Sequence, residues 1–486
     1  MEGKQEIIIK KINQMNMLTT INVGGVRSLM KSFLSIAVLV LSAVIMTAST
    51  PRKKRSVGGT PTGQVVTVKD NSTGATLYTG TYGTAPLTVK IPYGVSYTVS
   101  VNGKQQYVTP SAVTHTAAQL SRSVTLNYAF VPYAEIVFDK SMSNPSNITG
   151  DINSGAIATI LSKVRRCLVK KTSNGNVTIS YLRNDNSNYY EDGSVANLTG
   201  TEGDVMVYLP QFYYKLYNVS STQRGLRFSE YQIDATYKKI TEGLVGAYKA
   251  YNVSSKVYSR SGVTPTASVS QANFSAYAQA RGSGYDIIDY EMHCAIAFLF
   301  YAKYGNRSSQ AVLGTGGMSY GSGQTGTTDA LGNIDTQNAT TGAVNFCGIE
   351  AVHGWYYEWV SKVAINNRVW TITNSDGTTR TVTAGTSDGW ITDIAAMGGS
   401  EYLDVIPIAA GGSDITYFSD YYYQSTGTGR VLARSCGSSS TYGVVAYAYA
   451  YSDSSDTGTD IGSRLAFRGE ISEAESVAAF KALPVL

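Results

Sequence analysis

The chain has 486 residues, 15% of them charged, a formal net charge of +5, 48 glycines, and 36 tyrosines against 12 phenylalanines. Such a length exceeds one ordinary core and predicts roughly two or three domains, and a Tyr-, Thr-, Ser- and Gly-rich composition is β-rich and extracellular in style. Part of the positive charge sits in two N-terminal clusters, so no continuous basic face argues for a nucleic-acid partner.

In chain order, residues 1–57 do not read as a domain. Met30-Lys31 precedes the apolar run Phe33–Met46 and the small residues TAST. This pattern fits a signal peptide starting at Met30 and fits equally an upstream extension of the frame, with translation starting near Pro51–Gly59. The run is short for a membrane anchor, and no Cys follows it to suggest a lipoprotein.

Residues 58–130 alternate. Val65–Asp70, Ala75–Gly80, Leu87–Pro92 and Ser96–Gly103 are short strands punctuated by turn residues, with Ser123–Phe130 closing an immunoglobulin-like β-sandwich. The segment around Leu87–Val101 resembles PEGA-type spacer modules of surface proteins, and nothing in it carries chemistry.

Residues 131–199 form a connecting β-rich module opened by Glu135–Asp151, with a helix expected over Ala158–Lys171 whose basic residues make a solvated face. A larger domain follows over 200–470. Gly200–Val219 is strongly strand-forming, and Leu244–Pro265 continues it. The clearest helix carries Ile288, Met292, Ala295, Ile296, Leu299 and Phe300 at helical spacing and stops at Gly305. Residues 471–486 are a short amphipathic tail.

Sites for chemistry are scarce. The histidines His115, His293 and His353 lie far apart in the chain, with no second ligand four residues from His293. Cys167, Cys294, Cys347 and Cys436 show no metal-ligand spacing, and no HExxH, CxxC pair, P-loop or GxSxG elbow is present. Carboxylate pairs such as Asp286 with Asp289, or Glu350 with Glu358, read first as caps or buried polar ties. No cofactor, metal or catalytic residue is expected. No dense Asp/Asn cluster signals a Ca²⁺ site, although lectin-like folds admit one.

The informative stretch is Ser425–Gly469. Strands are expected at Val431–Arg434 and Ser463–Gly469. The run between them is built almost wholly from Ser, Tyr, Gly, Ala, Asp, Thr and Val, and it contains no Lys, Glu, Gln, Met or Trp. Those five are the residues no codon ending in a pyrimidine can encode. A segment rewritten at the adenines of AAC or AAT codons would show that absence. The same palette serves binding loops, where Tyr gives rigid contact area and Ser and Gly adaptable hydrogen bonds. Composition alone favours an inert Gly/Ser-rich surface loop.

Gly429–Ser439 (GRVLARSCGSS) and Ile461–Phe467 (IGSRLAF) resemble the "GRVL" and "IGSRL" strands of diversity-generating retroelement target proteins. Ser435-Cys436-Gly437 stands where that family has Gly-Gly-Ser-Trp. Gly348-Ile349-Glu350, Gly354 and Glu358-Trp359-Val360 resemble the family's "GIENxWGNxxEWV" strip, with His353 replacing its Trp. The GDVMVYLPQFYYK stretch resembles the strand that introduces the domain in tail proteins of gut-bacterial phages, and Ser419–Tyr423 the family's "DYYW" segment. The resemblance implies a C-type-lectin-like domain related to formylglycine-generating enzymes. Those enzymes need a cysteine pair near the closing strand, where this chain has only Cys436, so the resemblance implies no enzyme.

It also implies a ligand-binding surface at Ser438, Ser439, Ser440, Tyr442, Tyr447, Tyr449, Tyr451, Asp453, Thr457, Thr459 and Asp460. Alternation puts Tyr447, Tyr449 and Tyr451 on one face of an extended segment, and three hydroxyls needing partners favour an exposed face. Trp355, Glu358 and Trp359 read as structural. The implied partner is a protein or glycan receptor on a host or neighbouring cell, alongside other tail or surface proteins. The implied place is extracellular, on a virion tail or a bacterial surface. A homotrimer would add avidity, though no heptad run signals one. The rival readings are a bacterial adhesin of the same fold and an inert structural tail subunit.

Overall fold

Strict alternation builds the first unit. Along Val65–Asp70, Val66 and Val68 are fully buried while Val65 and Lys69 face out. This strand lies between Thr76–Thr81 and Tyr97–Val101, and Val113–His115 pairs the far side of the latter, all antiparallel. Leu87–Pro92 pairs antiparallel with Ile36–Leu41, and Tyr107–Val108 with Ala129–Phe130. The small core is Val66, Val68, Tyr82, Val89, Ile91, Tyr97 and Val99.

The computed structural model describes residues 36–41 and 63–485, except 83–86, 93, 103–106, 109–110, 117–128, 131–132, 174, 436, 438–440 and 444. Apart from Ile36–Leu41, the segment read as a signal peptide therefore lies outside the described residues, as does most of the expected closing strand Ser123–Phe130. The chain divides into two units, Met1–Phe130 and Val131–Leu486. Strands hold 38% of it and helices 13%, which makes it a β-rich α+β protein of several antiparallel sheets.

Three larger sheets carry most of the second unit. The largest runs in the order Thr379–Thr383, Val369–Thr373, Tyr357–Asn366, Arg430–Arg434, Ala448–Tyr449, Tyr421–Tyr423, Gly389–Ile394, Pro407–Ala410, with Ile461–Gly462 parallel to Tyr357–Asn366. A second sheet joins Leu465–Phe467, Gly243–Gly246, Asp204–Leu209, Arg165–Ser173 and Asn176–Tyr181 between its edge strands. The third includes Ala134–Asp139, Gln223–Ser229 and Phe212–Asn218. Residues 131–199 are thus not a module of their own, because their strands find partners beyond residue 200. Nor is the tail free: Glu470–Glu473 pairs parallel with Asn176–Tyr181, and Phe480 is fully buried.

The expected helix over Ala158–Lys171 is also corrected. The helix is Gly155–Ser162, and Arg165–Ser173 is a strand. Arg166 and Lys170 are buried, not solvated. Arg166 meets Asp329 at 3.1 Å, and Lys170 Nζ donates to the carbonyls of Phe480, Lys481 and Leu483. Their partners lie far along the chain, so local pattern could not reveal them.

The clear helix spans Tyr290–Tyr304. Asp289 Oδ1 accepts from the Met292 N–H at 2.7 Å, and Gly305 closes it in the left-handed conformation. It is buried nearly all round, as an interior helix must be. Phe298 and Tyr301 meet Phe138 edge-on, and Phe300 meets Phe346.

A buried charge cluster ties these segments together. Glu358 Oε1 accepts from Lys249 Nζ at 2.7 Å and Arg464 Nε at 3.0 Å, and Oε2 accepts from Arg434 Nη1 at 2.8 Å. All four residues are essentially without solvent exposure. Arg464 spends its other N–H groups on the carbonyls of Gly246, Ala247, Glu350 and Ala351. Burial opposes ionisation of Glu358, yet Arg464, Lys249 and Arg434 hold its carboxyl far below the usual range. Burial brings Lys249 down to about 8 despite that carboxylate.

Removing the anion strands three buried cations. We expect Glu358→Gln to cost about 3–5 kcal/mol in urea unfolding, as breaking a buried pair does. An unchanged midpoint would show that the cluster ties nothing.

Candidate functional site

The Ser425–Gly469 run begins on the largest sheet and ends, at Leu465–Phe467, in the second. Arg430–Arg434 pairs antiparallel with the Glu358 strand, in register Glu358 to Arg434 and Trp359 to Ala433. The short strand Ala448–Tyr449 fits between Arg430–Arg434 and Tyr421–Tyr423, with Tyr423 beside Tyr449. Ala448 and Ala450 go into the core, and so does Tyr422 of the neighbouring strand. The alternate positions carry tyrosines, so the two strands put their rings on one face.

Those rings form a continuous patch. Tyr423 meets Tyr449 at 5.6 Å and Tyr421 at 4.6 Å between centroids, and Tyr449 meets Tyr451 at 6.2 Å. Trp390 meets Tyr421 edge-on at 5.5 Å and stacks on Tyr442 at 5.5 Å with 13° between planes. The Tyr421 N–H donates to the Tyr442 carbonyl at 2.6 Å, which pins the Tyr442 turn beside the strand. Such offset and edge contacts add rigidity beyond area burial.

Of the expected tyrosines, Tyr451 (56% exposed) and Tyr442 (45%) reach solvent, and Tyr449 is half-buried. Thr457 and Thr459 are exposed, and Asp453 and Asp460 partly so. Asp453 forms an ion pair with Arg430 at 2.8 Å. Ser438, Ser439 and Ser440 lie outside the described residues, as does Cys436.

Tyr447 is a correction: it is 1% exposed. It shares the expected face, but its ring packs 5.6 Å from that of Tyr357 and 6.3 Å from that of Tyr423. Gly443 closes over it, so near that a Cβ there would fall 2.4 Å from the ring. Alternation sets which way a side chain points and says nothing about what the next turn lays on top. Sequence reasoning missed Trp390, Tyr421, Tyr423 and Tyr357 as patch members. The Tyr421-Tyr422-Tyr423 alternation around a buried centre was the available signal.

A second feature is a polar cleft of about 450 Å³ at the start of the Tyr290–Tyr304 helix, lined among others by Asp286, Asp289, Glu291, Lys362 and Arg468. Arg468 pairs with Asp289 at 2.6 Å and Glu291 at 3.0 Å. Burial pushes Glu291 up to about 7, against the pull of Arg468. Burial raises the Asp289 carboxyl, but Arg468, the Met292 N–H and Lys362 together hold it below its usual range. Glu350 and Glu358 do not act as a pair: Glu350 accepts from the N–H groups of Gly326 and Thr328, at 2.9 and 2.7 Å.

Among the described residues, no cluster of three or more His, Cys, Asp and Glu is placed to hold a metal ion. No described helix is long and apolar enough to cross a membrane. Cys167, Cys294 and Cys347 are free and buried. His293 and His353 are buried beneath the patch sheet, and His353 Nε2 lies 2.8 Å from the Gly314 carbonyl. No protein-family model matches this chain, and no curated protein is significantly similar to it.

Two outcomes test the frame. Ser435 is buried at φ +68°, a left-handed conformation, and its hydroxyl lacks a hydrogen-bond partner. Ser435→Gly should therefore stabilise the protein by about 1 kcal/mol in urea titration, and destabilisation would count against this backbone. Burial, with Lys249 and Arg434 adding, lowers His353 from 6.5 to about 4 although the Gly314 carbonyl opposes it. The unfolded chain then takes up that proton first, so stability is complete above pH 6.5 and falls as pH drops toward about 4. His353→Gln should flatten this decline, and an identical slope would remove His353 as its source.

Proposed function

We propose that this is a receptor-binding or adhesion protein. Its C-type-lectin-like domain displays a retroelement-diversified surface behind an immunoglobulin-like spacer, and it serves as a phage tail-fibre host-recognition protein. The observation that carries the reading is the position of the compositionally restricted run. It supplies exposed Tyr442 and Tyr451 and half-buried Tyr449 beside the strands of the largest sheet, while Glu358 and its three cations hold those strands from within. A binding surface asks for this arrangement, in which a rigid element presents side chains that do not make the core. Aromatic rings supply contact area at low entropic cost. A bacterial surface adhesin of the same fold would use the surface identically. Genomic context separates these from an inert subunit: a reverse transcriptase beside an adenine-richer copy of this segment supports diversification.

A second reading has Glu291 in its favour, a carboxyl able to give or take a proton near pH 7 at the edge of a cleft. It would be a hydrolytic site with Asp289 or Asp286 as partner. The shared Arg468 bridge fits a structural tie better, since it neutralises both carboxylates in place.

Graded exposure gives the test. Tyr442→Ala with Tyr451→Ala should reduce attachment to host cells at least about tenfold, as loss of aromatic anchors does, with the thermal midpoint nearly unchanged. Tyr447→Ala should instead cost about 3–5 kcal/mol of stability. Full attachment by the double variant would remove the surface reading.

A further inference from the structure

The patch has two parts of different origin. Tyr442, Tyr449 and Tyr451 come from the restricted run, whereas Trp390, Tyr421 and Tyr423 precede it. A tryptophan codon cannot end in a pyrimidine, so Trp390 is beyond what the proposed rewriting could produce. The two parts touch at Tyr442 on Trp390 and at Tyr449 on Tyr423.

The charges around both parts are mostly negative. Asp388 Oδ1 accepts from the N–H of Gln424, the residue after Tyr423, at 2.8 Å, and beyond burial the charged groups that raise the phenols are Asp388 at Tyr423 and Asp460 and Asp456 at Tyr449. Asp388 and Asp456 are exposed. The cation in contact is Arg430, whose guanidinium sits 5.8 Å from the Tyr451 ring centre and 2.8 Å from Asp453. Locally, then, carboxylates outnumber cations, although the chain as a whole carries a formal +5. The Arg430–Tyr451–Asp453 grouping shows how a guanidinium is held here: over a tyrosine face, steered by an aspartate.

We infer that the constant half of the patch repeats this arrangement for a partner, taking an arginine or lysine side chain of a protein epitope over Tyr421 and Tyr423 with Asp388 at the rim. This rests on the surface reading above and narrows it. Every diversified copy would keep one cation-selective foothold while the Tyr442–Tyr451 half sets which epitope is accepted. Cation–π attraction strengthens as the cation is desolvated, and rim carboxylates raise the rate of encounter with basic surfaces.

The test uses the full chain and a peptide pair: Ac-Gly-Gly-Arg-Gly-Arg-Gly-Gly-amide and the same peptide with citrulline for arginine, which keeps the shape and removes the charge. Titration calorimetry or NMR should show the arginine peptide binding at least about fivefold more tightly. Binding should weaken as salt rises from about 50 to about 500 mM. Asp388→Asn and Tyr421→Ala should each weaken it severalfold with unchanged melting. Equal binding of the two peptides, or indifference to both substitutions, overturns the inference. So does salt-independent binding of a neutral β-1,4-linked glucose oligomer where the arginine peptide fails. If cell attachment still needs Tyr442 and Tyr451 in that event, the surface reading stands without its cationic partner. If attachment ignores those tyrosines too, both fall.

Discussion

One carboxylate facing three cations holds the second unit together. Glu358 meets Lys249, Arg434 and Arg464 within 3.0 Å, and each cation arrives from a different segment. Such a cluster is expensive to bury, and its worth lies less in net energy than in the one arrangement that satisfies it. Backbone carbonyls at Gly246, Ala247, Glu350, Ala351 and Tyr356 take up the spare N–H groups of Arg464 and Lys249. Slipping the Arg430–Arg434 strand by one residue would turn Arg434 away from Glu358 and flip every neighbouring side chain. The register of the strand that precedes the tyrosine run is therefore set from below, by residues the surface never contacts.

How far the sequence disclosed this depends on the range over which partners act. Val65–Asp70 and Leu87–Pro92 were legible because alternation is local, and the stop at Gly305 because a left-handed cap is local too. Arg166 and Lys170 were misread as a solvated helix face because Asp329 and the Phe480 carbonyl lie far along the chain. Residues 131–199 looked separate for the same reason. At the site, alternation placed Tyr447, Tyr449 and Tyr451 on a common face. It could not anticipate that Gly443 and Tyr357 would cover the first of them. The Tyr421 and Tyr423 rings were visible in the sequence as an aromatic segment, but their junction with Tyr442 and Tyr449 needed the parallel strand pair.

The result is a stripe that grades from interior to solvent. Tyr447 belongs to the frame, Tyr449 to both frame and face, and Tyr451 to the face alone. Positions within the run are thus unequal in what they can hold. A small or charged residue at Tyr451 disturbs little, while the same change at Tyr447 opens a cavity against Tyr357 and Tyr423. Variation at the surface is bounded by packing at one end of a single short strand.

The order of segments along the chain has a further bearing on synthesis. Arg464, Leu465–Phe467 and Glu470–Glu473 all come after the tyrosine run, and each completes something begun at least 106 residues earlier: the Glu358 cluster, and two strand pairings of one sheet. A copy whose reading frame is lost within the run would leave Glu358 short of a partner and a sheet missing its last strands. Under the function proposed above, a frame lost during diversification of this segment would therefore be screened out by failed folding before any partner is met.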